Sequence, residues 1–493
     1  MVRSRGLALL PFVLVACGSD DPAPGTAPPG STPDGGTSSS SSGGTSSSGG
    51  TNPGGQTFPD AMGDPCRGVE LSAEAVTADG LCARLIAKGT SVSGVRQLMF
   101  ASNGDLFAQT GGGQILLLRD ENNDGSYAKD EVHVWAQTDG NGNNAHLDEK
   151  GGYVYAGSSD GVHRFKYDAA ALKGGPLEKV VVKQPTGGHS KHTTHVYDGF
   201  LYVHSGSSGN QTHENESPIG EYDTNRSLIR RFDLSKLDAA KPFEWLTGEV
   251  FTQGLRNANG FKRNETTKKI YAVVNGLDDI DYKGVDVHND NPGEQIVEIA
   301  KGNKYGYPFC FTAQAIESAG SIVEPGTQLF HANFPGNPHD DSWCATNSMK
   351  PTTFLTAHSA PLDLVFFDQQ PKGNLPEKYR GGAFVAMHGS WNRDSGKHVG
   401  RMVVWVPFDA DGTSPMPTTK KEGDSLVTTF KYETILGPAD GARRPQDGAW
   451  TWNDGKGSSD SPRPSGVAIS PIDGSLYIAS DNNGTLYRVG IKK

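Results

Sequence analysis

A short pattern that returns at a nearly fixed interval constrains this chain more than any other feature. A glycine-containing turn leads into alternating apolar residues in "SNGDLFAQT" (Ser102 to Thr110), "EKGGYVYAG" (Glu149 to Gly157) and "YDGFLYVHSG" (Tyr197 to Gly206). Their glycines Gly104, Gly151 and Gly199 stand 47 and 48 residues apart. The pattern comes back in "KKIYAVVNG" (Lys268 to Gly276), "YRGGAFVAMHG" (Tyr379 to Gly389) and "IDGSLYIASD" (Ile472 to Asp481). Each copy reads as a turn feeding a strand of period two. Strand-only repeats of this length predict an all-β fold, a β-propeller with one four-stranded blade per repeat. Six copies predict six blades, with longer insertions after the third. A large β-sandwich is the competing architecture, but its strands would not recur at such a period. Propeller loops gather at one mouth of the central channel, so functional groups are sought there.

The N-terminus reads as an export signal. Arg3 and Arg5 precede an apolar run from Leu7 to Ala16, too short to span a membrane, and the run ends in "LVAC" at Leu14 to Cys17. That ending is similar to a bacterial lipobox, which implies cleavage before Cys17 and lipidation of its thiol. Residues 18–57 are almost entirely Gly, Ser, Thr, Pro, Asp and Ala, a composition with nothing to bury that predicts a disordered tether. The expected organisation is therefore a signal over 1–17, a linker over 18–57 and the propeller over 58–493. The expected location is the bacterial cell envelope, lipid-anchored on the periplasmic or cell-surface side.

Cys66, Cys82, Cys310 and Cys344 form an even set in an exported chain and predict two disulfides, with three pairings open. No CxxC or CxxCH occurs, which argues against thiolate zinc and covalently attached haem. A net charge of -11 argues against nucleic acid as a partner.

Several loops carry chemistry. "DENNDGSYAKDE", Asp120 to Glu131, fits a calcium loop, with Asp120, Asn122, Asp124 and Glu131 as oxygen ligands and Gly125 at the sharp turn. Strand patterns flank it instead of helices, so a plain acidic turn is the other reading. "GGHSKHTTH", Gly187 to His195, spaces three histidines three residues apart. In an extended segment an odd spacing reverses the side chain, so His189, His192 and His195 would not converge on one metal. A single histidine at a blade's mouth, His189, is better suited to act as a general base. "GLRNANGF" (Gly254 to Phe261) offers Arg256 and Asn257 as donors for an anionic or carbonyl oxygen, with a surface turn as the plainer reading. The loop from Asn275 to Ile296 is rich in Asp and reads as a calcium loop or an acidic surface. "HGSWNRDSG" and "RPSGVAIS" place Arg393 and Arg463 beside two further strands, and Trp391 offers a stacking platform or a rim aromatic.

Seven of these stretches in order, "GGH", "GLRN", "NGLDD", "YGYPFC", "HSAPL", "HGSWNR" and "RPSG", resemble the glucose/sorbosone dehydrogenase family over roughly residues 70 to 490. The resemblance is nearer to the sorbosone-dehydrogenase-like branch. It implies a six-bladed propeller that uses pyrroloquinoline quinone and calcium to oxidise a sugar. By position it implies His189 as the general base and Arg256 with Asn257 at the quinone carbonyls. Backbone carbonyls near Gly276 and Leu277 would hold calcium, and Arg393 and Arg463 would meet the cofactor's carboxylates. His192 stands where that branch often carries arginine, and the acidic loop after Leu277 is long. Lacking a haem motif, such an enzyme would pass electrons to a separate quinone or cytochrome. Two other readings compete: a calcium-dependent propeller lactonase, which would leave "GLRN" and "HGSWNR" without a role, and a non-catalytic propeller that binds carbohydrate or protein.

Overall fold

The computed structural model describes residues 75–492, apart from 214–217, 239, 370–372, 391, 395–398, 439–461 and 483. The lipobox with Cys17, the tether, Cys66 and Trp391 therefore lie outside the described residues. Six sheets of four or five strands, antiparallel except for parallel edge pairings of Phe243–Glu244 and Asn303–Lys304, form the blades of a propeller, as the repeat predicted. The innermost strands, in blade order, are Val95–Phe100, Gly142–Asp148, Thr194–Tyr197, Asn257–Arg263, Pro361–Phe366 and Pro464–Ile469.

The repeated pattern marks the second strand of each blade: Leu106–Thr110, Tyr153–Ser158, Phe200–Ser205, Ile270–Asn275, Ala383–Met387 and Leu476–Ser480. The expected apolar and polar alternation is replaced there by burial on both faces. Every residue of Leu106–Thr110, Ala383–Met387 and Leu476–Ser480 is buried. The reason is geometric: a blade is sandwiched between two neighbours, so neither face of its inner strands meets water. The core is accordingly a set of layers between blades. Trp245 and Phe232 pack with Val196 and Leu201 in one layer, and Phe384, Val467, Ile478 and Tyr487 share another.

Closure of the ring was not legible in the repeat. Leu81–Lys88, near the start of the described chain, pairs antiparallel with Thr485–Ile491 as the outer strand of the sixth blade. Ala75–Thr77 similarly edges the fifth blade against Glu433–Pro438. Joining the two ends within blades closes the ring and covers edges that would otherwise invite pairing.

Innermost strands turn a row of backbone groups toward the channel, and bare buried amides cost about 1–3 kcal/mol each. Side chains from the preceding blade answer several of them. Gln97 Oε1 accepts from Ala145 N (2.6 Å), Asn144 Oδ1 from Thr194 N (3.0 Å) and Asp363 Oδ2 from Val467 N (3.1 Å). His204 does the same for Ala258 N at 3.3 Å, and the Ser465 hydroxyl donates to the Val95 carbonyl at 2.7 Å.

The fourth blade carries the long insertion. Between Glu294–Ile299 and Thr353–Leu355 the chain makes small hairpins and the helix Asp341–Asn347, stapled by a Cys310–Cys344 disulfide. Cys82 is also disulfide-bonded. Among the described residues no helix is long and apolar enough to cross a membrane.

The Asp120–Glu131 loop joins the third and fourth strands of the first blade, with Gly125 at φ 81° as its turn glycine. Its side-chain oxygens close the loop on its own amides. Asp120 accepts from Asp124 N (3.1 Å) and Gly125 N (2.9 Å), Asn122 from Asp124 N (2.8 Å), and Asp124 from Ser126 N (2.8 Å). Glu131 accepts from Glu121 N (2.9 Å), Asn122 N (3.1 Å) and Ala128 N (2.8 Å). The Arg84 guanidinium on the closing strand donates to the Asp124 carbonyl at 3.1 Å. The turn thus docks against the strand that closes the ring and holds its own shape.

Candidate active site

The mouth at which the six innermost strands begin opens into a cleft with about 1070 Å³ of open space, its solvent-filled entrance included. Residues from the starts of those strands and the ends of the second strands line it: Arg96, His189, Arg256, Asn257, Asn275, Gly276, His358, His388 and Arg463 among them. Segments far apart in sequence, from "GGH" to "RPSG", thus meet at one mouth.

"GGHSKHTTH" is mostly loop; only its last two residues enter the strand Thr194–Tyr197. The expected extended geometry is replaced because Gly187 (φ 78°), Gly188 (φ 56°) and His192 (φ 54°) adopt left-handed backbone. A side chain at Gly188 would stand 2.5 Å from the Ser207 carbonyl, so glycine is required for the loop to lie this close. His189 and His192 both border the cleft, but the three histidines bond different partners. His189 borders the cleft, and its Nδ1 lies 2.9 Å from the Ser207 hydroxyl. That hydroxyl sends its one hydrogen to the Gly209 carbonyl (2.7 Å), so it accepts from His189 Nδ1–H, and the lone pair of the ring falls on Nε2. This is the tautomer a general base needs.

His192 is 1% exposed, and its Nδ1 donates to the Ser158 carbonyl at 2.6 Å. Burial pulls its pKa down to about 4, so it is neutral and cannot replace the charge of an arginine. His195 bonds the ring of His146 across two blades (Nδ1 to Nδ1, 2.8 Å) and stacks on Tyr197.

Beside His189, where the Ser207 N–H donates to the Arg256 carbonyl at 2.9 Å, lies a buried group of charges. Arg256, 4% exposed, pairs with Asp278 (3.0 Å), and the other Asp278 oxygen lies 3.4 Å from His358 Nδ1. Burial would lower the His358 pKa, but Asp278 and Glu294 raise it above the usual value. Glu294 accepts from Gly276 N at 2.7 Å, and burial pushes its carboxyl up to about 7. Asn257 and Asn259 both donate to Asn275 Oδ1, at 3.2 and 3.0 Å.

A second cationic wall faces this one. Arg463 donates to the carbonyls of His388 (3.2 Å) and Gly389 (3.4 Å), and Arg96 pairs with Asp481 (3.0 Å). Burial alone would raise the Asp481 carboxyl, but His388 and Arg96 hold it well below its usual range.

Of the residues expected at the site, the structure brings His189, Arg256, Asn257, Gly276 and Arg463 to the cleft. Leu277 packs its side chain into the small core of the insertion with Tyr307 and Phe311. Arg393 does not line the cleft: its guanidinium pairs with Asp290 of the acidic loop (3.0 Å) and reaches the Ala357 carbonyl (3.4 Å). A guanidinium shielded from water is held by the nearest carboxylate, and the long loop supplies one. Asp278 and Glu294 lie in the acidic loop Asn275 to Ile296, and His358 and His388 sit inside quoted motifs without an assigned role, whereas Arg96 carried no signal.

The donor set fits a flat polyanion. Arg96, Arg256, Arg463 and Lys191 line the cleft against the two carboxylates Asp278 and Glu294, and Asn257, Asn259 and Asn275 add amides. Asn392 Nδ2 is buried at the cleft without a hydrogen-bond partner among the described residues. Such a lining suits a quinone bearing carboxylates and carbonyl oxygens.

A six-bladed propeller with a cationic cleft and an imidazole at its mouth defines the class. The family model described as TrAA12-like matches residues 75–492, and the chain belongs to that family. It is similar to the pyrroloquinoline quinone-dependent pyranose dehydrogenase of Coprinopsis cinerea, 28% identical over 355 residues, 68% of this chain and 44% of that protein. The chain thus spans less than half the length of that relative. It is also 28% identical over 371 residues to the pyrroloquinoline quinone-dependent sugar dehydrogenase of Hypocrea jecorina, 72% of this chain and 80% of that one. Among solved structures, the calcium structure of the Trichoderma reesei family AA12 enzyme superposes with a TM-score of 0.68 at 26% identity, covering 86% of this chain and 98% of the other. The holo form of the pyranose dehydrogenase PQQ domain of Coprinopsis cinerea gives 0.68 at 25%, over 86% and 99%. An aldose sugar dehydrogenase of Escherichia coli, 14% identical with a TM-score of 0.50, shares the fold. The resemblance read from seven motifs holds at family level.

Proposed function

We propose that this chain is an exported, lipid-anchored dehydrogenase that oxidises an aldose or related pyranose with pyrroloquinoline quinone and calcium. The observation that carries the reading is the pairing, in one cleft, of His189 in the Nε2 lone-pair tautomer with the buried guanidinium of Arg256. The names of the relatives support it, as does the cationic lining.

His189 would take the proton from the substrate hydroxyl at Nε2, with Ser207 fixing the ring through Nδ1. Arg256 and Asn257 would bind oxygen atoms of the quinone, and Arg463 with Arg96 its carboxylates, in a site where such donors cost no reorganisation. The Gly276 carbonyl region, beside the Glu294 carboxylate, offers hard oxygen donors for calcium. The quinone itself, when bound, supplies the hydride acceptor. A separate acceptor, a quinone or cytochrome, would then take the electrons.

The lactonase reading needs carboxylates and amides that converge on a metal. It would leave the cationic lining of Arg96, Arg256 and Arg463 without a role. The anchor rests on the lipobox, and mass spectrometry of the envelope fraction should find a lipidated Cys17; an unmodified N-terminus upstream of it would remove the anchor from the account.

Loading tests the cofactor. The purified protein should bind about one equivalent of pyrroloquinoline quinone in the presence of calcium, read by the shift of quinone absorbance. Arg463→Ala should weaken that binding by about tenfold or more, as expected for loss of a charged hydrogen-bond donor. No absorbance change in the wild type at micromolar quinone would sink the reading.

A further inference from the structure

Arg256 is held from two sides. Its Nε donates to the Asn210 carbonyl (3.3 Å) and its Nη2 to Asp278 Oδ2 (3.0 Å), and among the described residues its Nη1 makes no hydrogen bond. The Nη1 end is therefore the one left for a ligand in the cleft that Arg256 lines.

What fixes Asp278 decides where that end points. Asn210 clamps its backbone from both sides: Asn210 Oδ1 accepts from Asp278 N, and Asn210 Nδ2 donates to the Asp278 carbonyl, both at 2.8 Å. The second carboxylate oxygen faces His358 Nδ1 at 3.4 Å. On the far side of the same ring, Nε2 lies 2.5 Å from the His288 carbonyl and 3.0 Å from that of Asn291. Nε2 thus carries a hydrogen toward those carbonyls, and the Asp278 carboxylate beside Nδ1 favours the protonated ring. His358 also sits at φ 59°, a conformation that a non-glycine residue keeps only where its surroundings over-determine it.

Resting on the proposed quinone site, we propose that His358 is a positioning residue: through Asp278 it fixes the Arg256 guanidinium so that Nη1 meets the bound cofactor. The chain of contacts runs from the third-blade loop at Asn210, through the fourth blade, to the start of the fifth at His358. It couples three separate segments to one nitrogen atom, and none of its members needs to touch the sugar.

The test is a double-mutant cycle read by quinone binding to purified protein, with kcat and KM measured alongside. His358→Ala and Asp278→Asn should each weaken binding by about 10- to 100-fold, the range for breaking one partner of a buried charge pair. The double variant should bind no more weakly than either single one, because both changes release the same arginine. His358→Asn tolerates left-handed backbone and keeps one N–H toward Asp278, so it should recover part of the loss. A purely structural role predicts losses that multiply and follow the melting temperature. Asp278→Asn is isosteric; wild-type affinity in that variant overturns the proposal, whether or not His358→Ala folds. Multiplying losses in the cycle overturn it as well. If the wild type binds no quinone, it is the functional reading that fails, and this inference falls with it.

Discussion

His189→Ala protein, loaded with quinone and calcium, is expected to reduce an artificial acceptor about 100- to 10,000-fold more slowly than wild type, the usual contribution of a general base. Cofactor affinity should change less than turnover, because the substitution leaves Arg96, Arg256 and Arg463 in place along the cleft. Ser207→Ala should cost less. It removes the acceptor that selects the Nδ1–H tautomer, yet leaves the imidazole in the cleft. Turnover retained in His189→Ala would move the base elsewhere. Glu294 would be the next residue to test, since it lines the cleft and burial pushes its carboxyl up to about 7.

Acid should unfold this protein steeply. Burial pulls His146 to about 3, His192 to about 4 and His204 to about 3, and it lowers His195 as well. In the unfolded chain all four titrate near 6.5. Below that pH the unfolded state takes up protons that the folded state refuses, so stability is whole above about 6.5 and is lost as pH falls toward about 4. Two carboxyls oppose the trend: burial raises Glu294 to about 7 and Asp363 to about 6, so the folded state holds their protons longer. His358, raised, contributes stability that is present below about 6.5 and fades as pH climbs through its folded value. Burial also pulls His388 to about 4 and lowers His163 and His331, so the imidazoles that refuse protons outnumber the raised carboxyls and stability falls as the pH drops. The urea midpoint should therefore drop between pH 6.5 and 4.5, and His204→Gln should flatten the curve. A midpoint level across that range would mean that these histidines are not buried neutral.

The ring of blades was legible because each blade repeats one local unit, a glycine turn and a strand buried on both faces. The pairing of Leu81–Lys88 with Thr485–Ile491 was not, since strands separated by the whole propeller leave no shared local pattern. The place of His189 at the cleft was legible because "GGH" combines an imidazole with glycines that only a tight approach requires. Its geometry was misread: left-handed residues break the extended segment, and the sequence shows that need only at the glycines. The charge cluster was the least legible part. Arg256, Asp278, Glu294 and His358 come from different strands and loops, and their partnership exists only once the fourth and fifth blades stand side by side. Arg393 shows the reverse case: its motif placed it at the cofactor, but the acidic loop draws it to Asp290.

The central claim is quinone-dependent oxidation of a sugar at the cleft. Purified protein with pyrroloquinoline quinone, calcium and an artificial electron acceptor, offered a panel of aldoses, should reduce the dye with at least one sugar. The signal should require the quinone and vanish in His189→Ala. Quinone that binds stoichiometrically while no sugar on the panel yields dye reduction, or reduction that persists undiminished without His189, would contradict the account.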